Sequence, residues 1–221
     1  MSTTKVKKNS KELNAELENT LFNDVERWEM FFTSHWKQTL AVAIAAVLVV
    51  TAAFAVYHHQ VKARHTAAEQ LGSADSVAEL ESAIAKYSGA PGAAFARYRL
   101  ALQLIEEKKY DRAVQELAKV TSSEDASLRN KARLTEAYVI ELSGKLPDAA
   151  SKFNALSTTG DAAPSIKCEA IYSAGRLYVK MGKKAEAKAV LQKVAAVTLP
   201  NDSESAAYWK AAAAELLGRI E

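Results

Sequence analysis

Between Thr39 and Tyr57 the chain reads TLAVAIAAVLVVTAAFAVY, nineteen residues without a charge, a glycine or a proline. At a rise of ~1.5 Å per residue a helix of this length extends about 28 Å, close to the ~30 Å hydrocarbon thickness of a bilayer. Trp36 precedes the run and Tyr57 ends it, amphipathic rings of the kind that settle at headgroup level, and Lys37 on one side with His58, His59, Lys62 and Arg64 on the other supply polar brackets. The expected element is a membrane anchor. Two readings compete with it. Ala53-Phe54-Ala55 has the form of a cleavage site, but a cleaved leader is short and basic, whereas here 38 residues with six acidic side chains come first. A buried helix of a soluble core keeps a polar stripe, and this run offers Thr39 and Thr51 alone.

The remaining chain is divided unequally by that run. About 160 of the 221 residues follow it, enough for one soluble domain of ordinary size. Net charge is +3, and after residue 65 the sequence holds 21 Lys+Arg against 20 Asp+Glu. Such a balance leaves no basic excess to neutralise phosphates, so nucleic acid is not an expected partner. Cys168 is the single cysteine, which excludes an intrachain disulfide and a cysteine-based zinc site. The four histidines, His35, His58, His59 and His65, all flank the apolar run. The domain after it therefore lacks the imidazole that Ser-His-Asp, Cys-His and H-E-x-x-H chemistries require, and neither an enzyme nor a metal or other cofactor is expected. His58 and His59 are adjacent and point about 100° apart on a helix, which suits interfacial packing better than ligation. Cys168 is expected to be a small buried side chain, since its neighbour Lys167 points elsewhere on a helix.

Before the anchor, Met1 to Ser10 is polar and without apolar period, a disordered tail by expectation. Leu13, Leu17, Leu21, Val25, Trp28 and Phe32 then recur every three or four residues, which predicts an amphipathic helix. Its polar face is acidic, so attraction to anionic lipid is not what would hold it down; self-pairing or a protein partner is as fitting. Local charge near the anchor is balanced, with Arg27 and Lys37 before and Lys62 and Arg64 after, and the small excess of basic residues in the tail favours a cytoplasmic N-terminus. Ala41-x-x-x-Ala45 offers a small-residue contact for self-association through the anchor.

After the anchor the helical pattern continues through Val61, Ala68 and Leu71 until Gly72-Ser73, and Val77, Leu80, Ile84 and Tyr87 predict a short helix closed by Ser88-Gly89 and Pro91-Gly92. Three segments then overlay one another: AFARYRLALQLIEEKKYDRAVQELAKV from Ala94, KARLTEAYVIELSGKLPDAASKFNAL from Lys131 and EAIYSAGRLYVKMGKKAEAKAVLQKV from Glu169. Small residues stand in the first helix (Ala101, Ala137, Gly175), turn formers follow (Lys108, Gly144, Gly182), and the second helix has small residues (Ala113, Ala149, Ala187) with large apolar ones four later (Leu117, Phe153, Leu191). The steps are 36 and 38 residues, against about 34 for a tetratricopeptide repeat. The pattern resembles W-x2-L-G-x2-Y…A-x3-F with the tryptophan missing. Antiparallel helices approach closely only where side chains are small, so Ala101 and Ala113 are expected to face each other with Leu117 beside them. Asp202-Ser203 precedes a last helix with Trp209, Ala212, Ala213 and Leu216, a half repeat that caps the stack, and the segment from Val77 to Tyr87 caps its other end. The four prolines fall between helices or in first turns.

The expected fold is all-α: a single N-terminal transmembrane helix, then a tetratricopeptide-like α-solenoid of three divergent repeats with capping helices. In residues, 1–38 form a cytoplasmic tail, 39–57 the transmembrane helix, 58–72 a stalk and 73–221 the repeat domain. The order of VERWEMFFTSHWKQTLAVAIAAVLVV, a short charged stalk and KYSGAPGAAFARYRLALQL opening divergent repeats resembles the YfgM-like ancillary subunits of the SecYEG translocon. That resemblance implies a bacterial inner-membrane protein with a cytoplasmic N-terminus and a periplasmic repeat domain, working beside a SecYEG-type translocon with a PpiD-type periplasmic chaperone. It supplies no catalytic residue.

The functional expectation is a tethered scaffold that binds exported chains or chaperones, tethering having raised the local concentration enough for modest contacts. An envelope-assembly or cell-division coordinator with a different partner, and a structural spacer that oligomerises through tail or anchor, are the alternatives. The first helix of each repeat is expected to line the concave face. About 100° round from the core positions lie Tyr98 and Leu102, then Lys131, Leu134, Tyr138 and Glu141, then Tyr172, Arg176 and Lys180, a tyrosine stripe edged with charge and suited to extended peptide.

Overall fold

The computed structural model describes residues 10–200 and 203–220. It divides into two compact units, Met1–Lys62 and Ala63–Glu221. Met1 to Asn9 of the expected tail, and Asp202 ahead of the last helix, lie outside the described residues.

The first unit is built from helix α1, Ser10–Ser73, which runs on past it. Within α1 the backbone leaves the helical basin at His35 (φ −117°, ψ 19°), and Ser34 Oγ lies 2.7 Å from His35 Nδ1. The break separates the amphipathic segment from the apolar run. Of the amphipathic stripe, Val25 and Trp28 are exposed; the side chains of Leu13, Leu17, Leu21 and Phe32 lie outside the described residues. The segment Thr33–Ser73, which includes the break, is long and apolar enough to cross a membrane, and its most apolar stretch is 0% buried. The run's two threonine hydroxyls are satisfied inside their own helix. Thr39 Oγ1 donates to Trp36 O at 3.0 Å and Thr51 Oγ1 to Val47 O at 2.9 Å, so neither threonine needs a partner outside its own helix.

The second unit begins inside the segment read as a stalk. Ala67 and Leu71 of α1 are buried, and Leu71 joins the core cluster formed by α2 (Val77–Lys86), α3 (Ala93–Glu106) and α4 (Tyr110–Val120). The last carbonyls of α1 have no intrahelical partner, and a guanidinium supplies one. Arg99 on α3 donates through Nη1 to Leu71 O (3.2 Å) and Gly72 O (3.1 Å), and through Nη2 to Ala74 O (2.7 Å) and Asp75 Oδ1 (2.9 Å). A capping box opens α2: Ser76 Oγ accepts from Glu79 N at 3.3 Å, and Glu79 Oε2 accepts from Ser76 N at 3.2 Å and Asp75 N at 3.0 Å. Those backbone donors hold the Glu79 carboxyl below its ordinary range.

Three helical hairpins follow in chain order. They are α3 with α4, α5 (Ala126–Leu142) with α6 (Leu146–Ser157), and α7 (Pro164–Lys180) with α8 (Lys184–Leu191), the last tightening into a 3₁₀ turn over Gln192–Ala196. The unpaired α9 (Glu204–Ile220) packs on α7 and α8. Each second helix also packs on the next first helix, α4 on α5 and α6 on α7, while α3, α5 and α7 touch in sequence. This is a tetratricopeptide-like α-solenoid with three hairpins and capping helices. Its buried side chains fall into two clusters, one under α2 to α5 and one under α5 to α9, with α5 shared between them.

Turn formers predicted from the repeat overlay share one backbone conformation. Lys108, Gly144 and Gly182 have φ of 60°, 83° and 74°, the left-handed region that ends a helix. In each copy the next amide reaches back across the turn, Lys109 N to Leu104 O (2.8 Å), Lys145 N to Ile140 O (3.2 Å) and Lys183 N to Tyr178 O (2.8 Å). Close approach within the third hairpin rests on a missing Cβ: one added at Gly175 would stand 2.5 Å from Leu191 Cδ2 and 2.6 Å from its Cγ. Ala101, Ala113 and Leu117 are all 0% exposed, as are Ala137, Ala149 and Phe153.

Three substitutions have stability outcomes set by this geometry. A non-glycine residue in the left-handed region costs ~1–2 kcal/mol, so Lys108→Gly is expected to stabilise the domain by about 1 kcal/mol and Gly144→Ala to destabilise it by about the same. Gly175→Ala gains ~1 kcal/mol of helix propensity but forces Leu191 to move in a closed core, a cost of ~1–3 kcal/mol, so net destabilisation is expected. Denaturant unfolding followed by circular dichroism checks all three, and a lower midpoint for Lys108→Gly would contradict the turn assignment.

Candidate partner-binding face

Residues at i, i+3 and i+7 of a helix share a stripe, and α3 places Phe95, Tyr98 and Leu102 in that relation. The corresponding stripe on α5 carries Lys131, Leu134, Thr135, Tyr138, Glu141 and Leu142, and on α7 Glu169, Tyr172, Arg176, Val179 and Lys180. These are the helices that touch one another in sequence.

The three tyrosines of the predicted stripe are half-buried, and each reaches the following first helix. Tyr98 Oη is 3.1 Å from Thr135 Oγ1. Tyr138 Oη donates to Glu169 Oε1 at 2.8 Å and is 3.0 Å from Ser173 Oγ, while its ring meets Phe153 edge-on with centroids 4.8 Å apart. Tyr172 stacks at 5.4 Å on Trp209 of the capping helix. Arg176 completes the seam with a two-pronged pair to Glu141, Nη1 to Oε1 at 2.7 Å and Nη2 to Oε2 at 2.8 Å. The tyrosines are thus links between repeats as well as lining, and Leu134 is a half-buried residue against the core. Leu102 (40% exposed), Lys131 and Lys180 remain open to solvent.

The pattern reading missed large apolar side chains more exposed than the apolar and aromatic ones it named. Phe95, Leu142 and Tyr208 are 57%, 58% and 65% exposed. Phe95 lies three residues before Tyr98 and Leu142 four after Tyr138, so the same helical step would have found them; Tyr208 sits on α9, where the half repeat obscures the register.

Charge at the seam is ordered. Burial is the largest influence on the Tyr138 phenol and, with the Glu169 carboxylate, pushes it up to about 12 against the opposing Ser173 hydrogen bond and Arg176 charge. Hydrogen bonding to Glu141 holds Arg176 above its ordinary value. Burial also pushes the Cys168 thiol up, with Lys210 opposing, which makes it a core side chain rather than a reactive thiolate. Among the described residues no three His, Cys, Asp or Glu side chains gather in a form that could hold a metal ion.

No family model matches the chain, and no curated protein matches it. Among solved structures it is similar to a tetratricopeptide repeat protein from Parabacteroides merdae ATCC 43184, at 18% identity and a TM-score of 0.46; the match covers 74% of this chain and 60% of that one.

The phenol at Tyr138 gives a titration with a definite sign. Its folded value lies above the ordinary 10.0, so the neutral ring contributes stability that is fully present below pH 10 and lost as pH rises through about 12. Absorbance titration of tyrosinate should show a late step that Tyr138→Phe removes; an unchanged titration curve would refute the buried, carboxylate-linked phenol.

Proposed function

We propose that this chain is a membrane-tethered repeat scaffold that binds other proteins along the face of its first helices. One observation carries the reading. Within the second unit, the large apolar side chains that stand exposed are Phe95, Leu102, Leu142, Val179 and Tyr208, and these lie on α3, α5, α7 and α9, never on α4, α6 or α8. Hydrocarbon gathered on one class of helix, bordered by Lys131, Lys180 and the Glu141–Arg176 pair, fits an extended polypeptide with apolar side chains. Tyr98, Tyr138 and Tyr172 form the floor of that face and position its exposed residues.

The tether is the apolar helix, taken as a span with the N-terminus in the cytoplasm and the repeat domain in the periplasm. The order of amphipathic segment, anchor and divergent repeats supports partners of the SecYEG-type translocon and its PpiD-type chaperones, with export as the setting.

Two experiments test these statements separately. Phe95→Ser, Leu102→Ser and Leu142→Ser combined should leave the helical signal and melting midpoint near wild type while abolishing recovery of translocon and chaperone subunits from membranes solubilised in mild detergent. Wild-type recovery from the folded triple variant would move the contact off this face. For topology, a cysteine added at the C-terminus of a Cys168→Ser chain should react with a membrane-impermeant thiol reagent in intact spheroplasts, and reaction only after lysis would reverse the orientation.

A further inference from the structure

The second repeat carries a charge where its neighbours carry hydrocarbon. Moving 36 residues from Leu100 reaches Glu136, and a further 38 reaches Ala174. Leu100 is 2% exposed, Ala174 0% and Glu136 6%. A buried carboxylate is costly unless paired, and stacking of the repeats does not call for one, since the other two copies manage without. Its partner is Lys152 on α6, with Nζ 2.7 Å from Oε1, and that lysine side chain remains 51% exposed.

Glu136 is two residues from Tyr138, so it leaves α5 on the opposite side from the first-helix face. There it lines a cleft of about 830 Å³ between α4 and α6, walled by Tyr110, Val114 and Ile140, with Asp111 and Asp148 at its rim. In the third repeat the position of Ile140 is taken by the larger Tyr178. Asp111 has an exposed lysine, Lys145, at 3.4 Å, a pairing that water and salt weaken. Three carboxylates therefore surround an apolar hollow against two lysines, each reaching in from α6 or the turn before it.

We propose that this cleft receives an arginine side chain from a partner polypeptide, which takes Glu136 over from Lys152. A guanidinium meets a carboxylate through two parallel hydrogen bonds where an ammonium offers a point charge. The released Lys152 already has half its surface in water, so its departure costs little. Tyr110 offers its ring to the cation and the apolar walls accept the methylene stem. The first-helix face is not involved.

The test uses the full-length chain in detergent micelles and fluorescein-labelled Ala-Leu-Arg-Leu-Ala, with Lys and Glu in place of Arg as comparison probes, read by fluorescence polarisation. The arginine probe should bind about tenfold more tightly than the glutamate probe, and Glu136→Gln should remove that difference. Lys152→Met should tighten arginine binding severalfold, because it deletes the resident competitor; an ion pair with a purely structural role predicts no gain. Asp148→Lys, at an exposed rim position, should weaken binding severalfold without touching the core and serves if Lys152→Met fails to fold. The Phe95, Leu102 and Leu142 serine variant should bind the probe as wild type does. Equal affinity for the arginine and glutamate probes, weaker binding by folded Lys152→Met, or indifference to Asp148→Lys would overturn the proposal.

Discussion

The repeat domain depends on how closely two helices of one hairpin can approach. At Gly175 the space for a single Cβ is already occupied by Leu191, and the equivalent sites in the other copies, Ala101 and Ala137, are wholly buried. Small side chains there let the large residue of the second helix, Leu117, Phe153 or Leu191, seat against the first helix rather than beside it. Everything further along the stack inherits that spacing: α5 packs on α4 and α7 on α6 only if each hairpin has the same thickness. Burial of apolar surface then supplies the stability, residue by residue at roughly 1.5–3 kcal/mol for a fully buried large side chain.

Much of this was legible because the repeat overlays itself in sequence. Small residues, turn formers and large apolar residues recur in register, and each corresponds to a distinct physical demand: close approach, a left-handed φ, a filled interior. Lys108 shows the strength of the register, since a lysine takes the conformation that glycine takes in the other two copies. The start of the folded unit was less legible. Ala67 and Leu71 sit in the same continuous helix as the apolar run, after a polar stretch from His58 to Thr66, so periodicity carried no mark of where solvated stalk ends and core residues begin.

The candidate face was legible in position but not in detail. Helical geometry placed Tyr98, Tyr138 and Tyr172 on one stripe, yet their hydroxyl and ring partners, Thr135, Glu169 with Ser173, and Trp209, belong to the next helix of the stack. Sequence steps within a helix do not contain that information, which arises from how far one repeat rotates on the next. The same limit applies to Glu136, whose burial is invisible in a pattern that treats charge as a sign of exposure.

Arg99 gives the domain a mechanical character. Its guanidinium binds three carbonyls between Leu71 and Ala74 together with the Asp75 carboxylate, so the chain entering the repeats is clamped to α3 at its point of entry. Tension along that entering segment would load several hydrogen bonds at once, in parallel, before it reached the hairpin cores. A repeat domain fastened in this way to the helix that enters it resists being peeled open from that end.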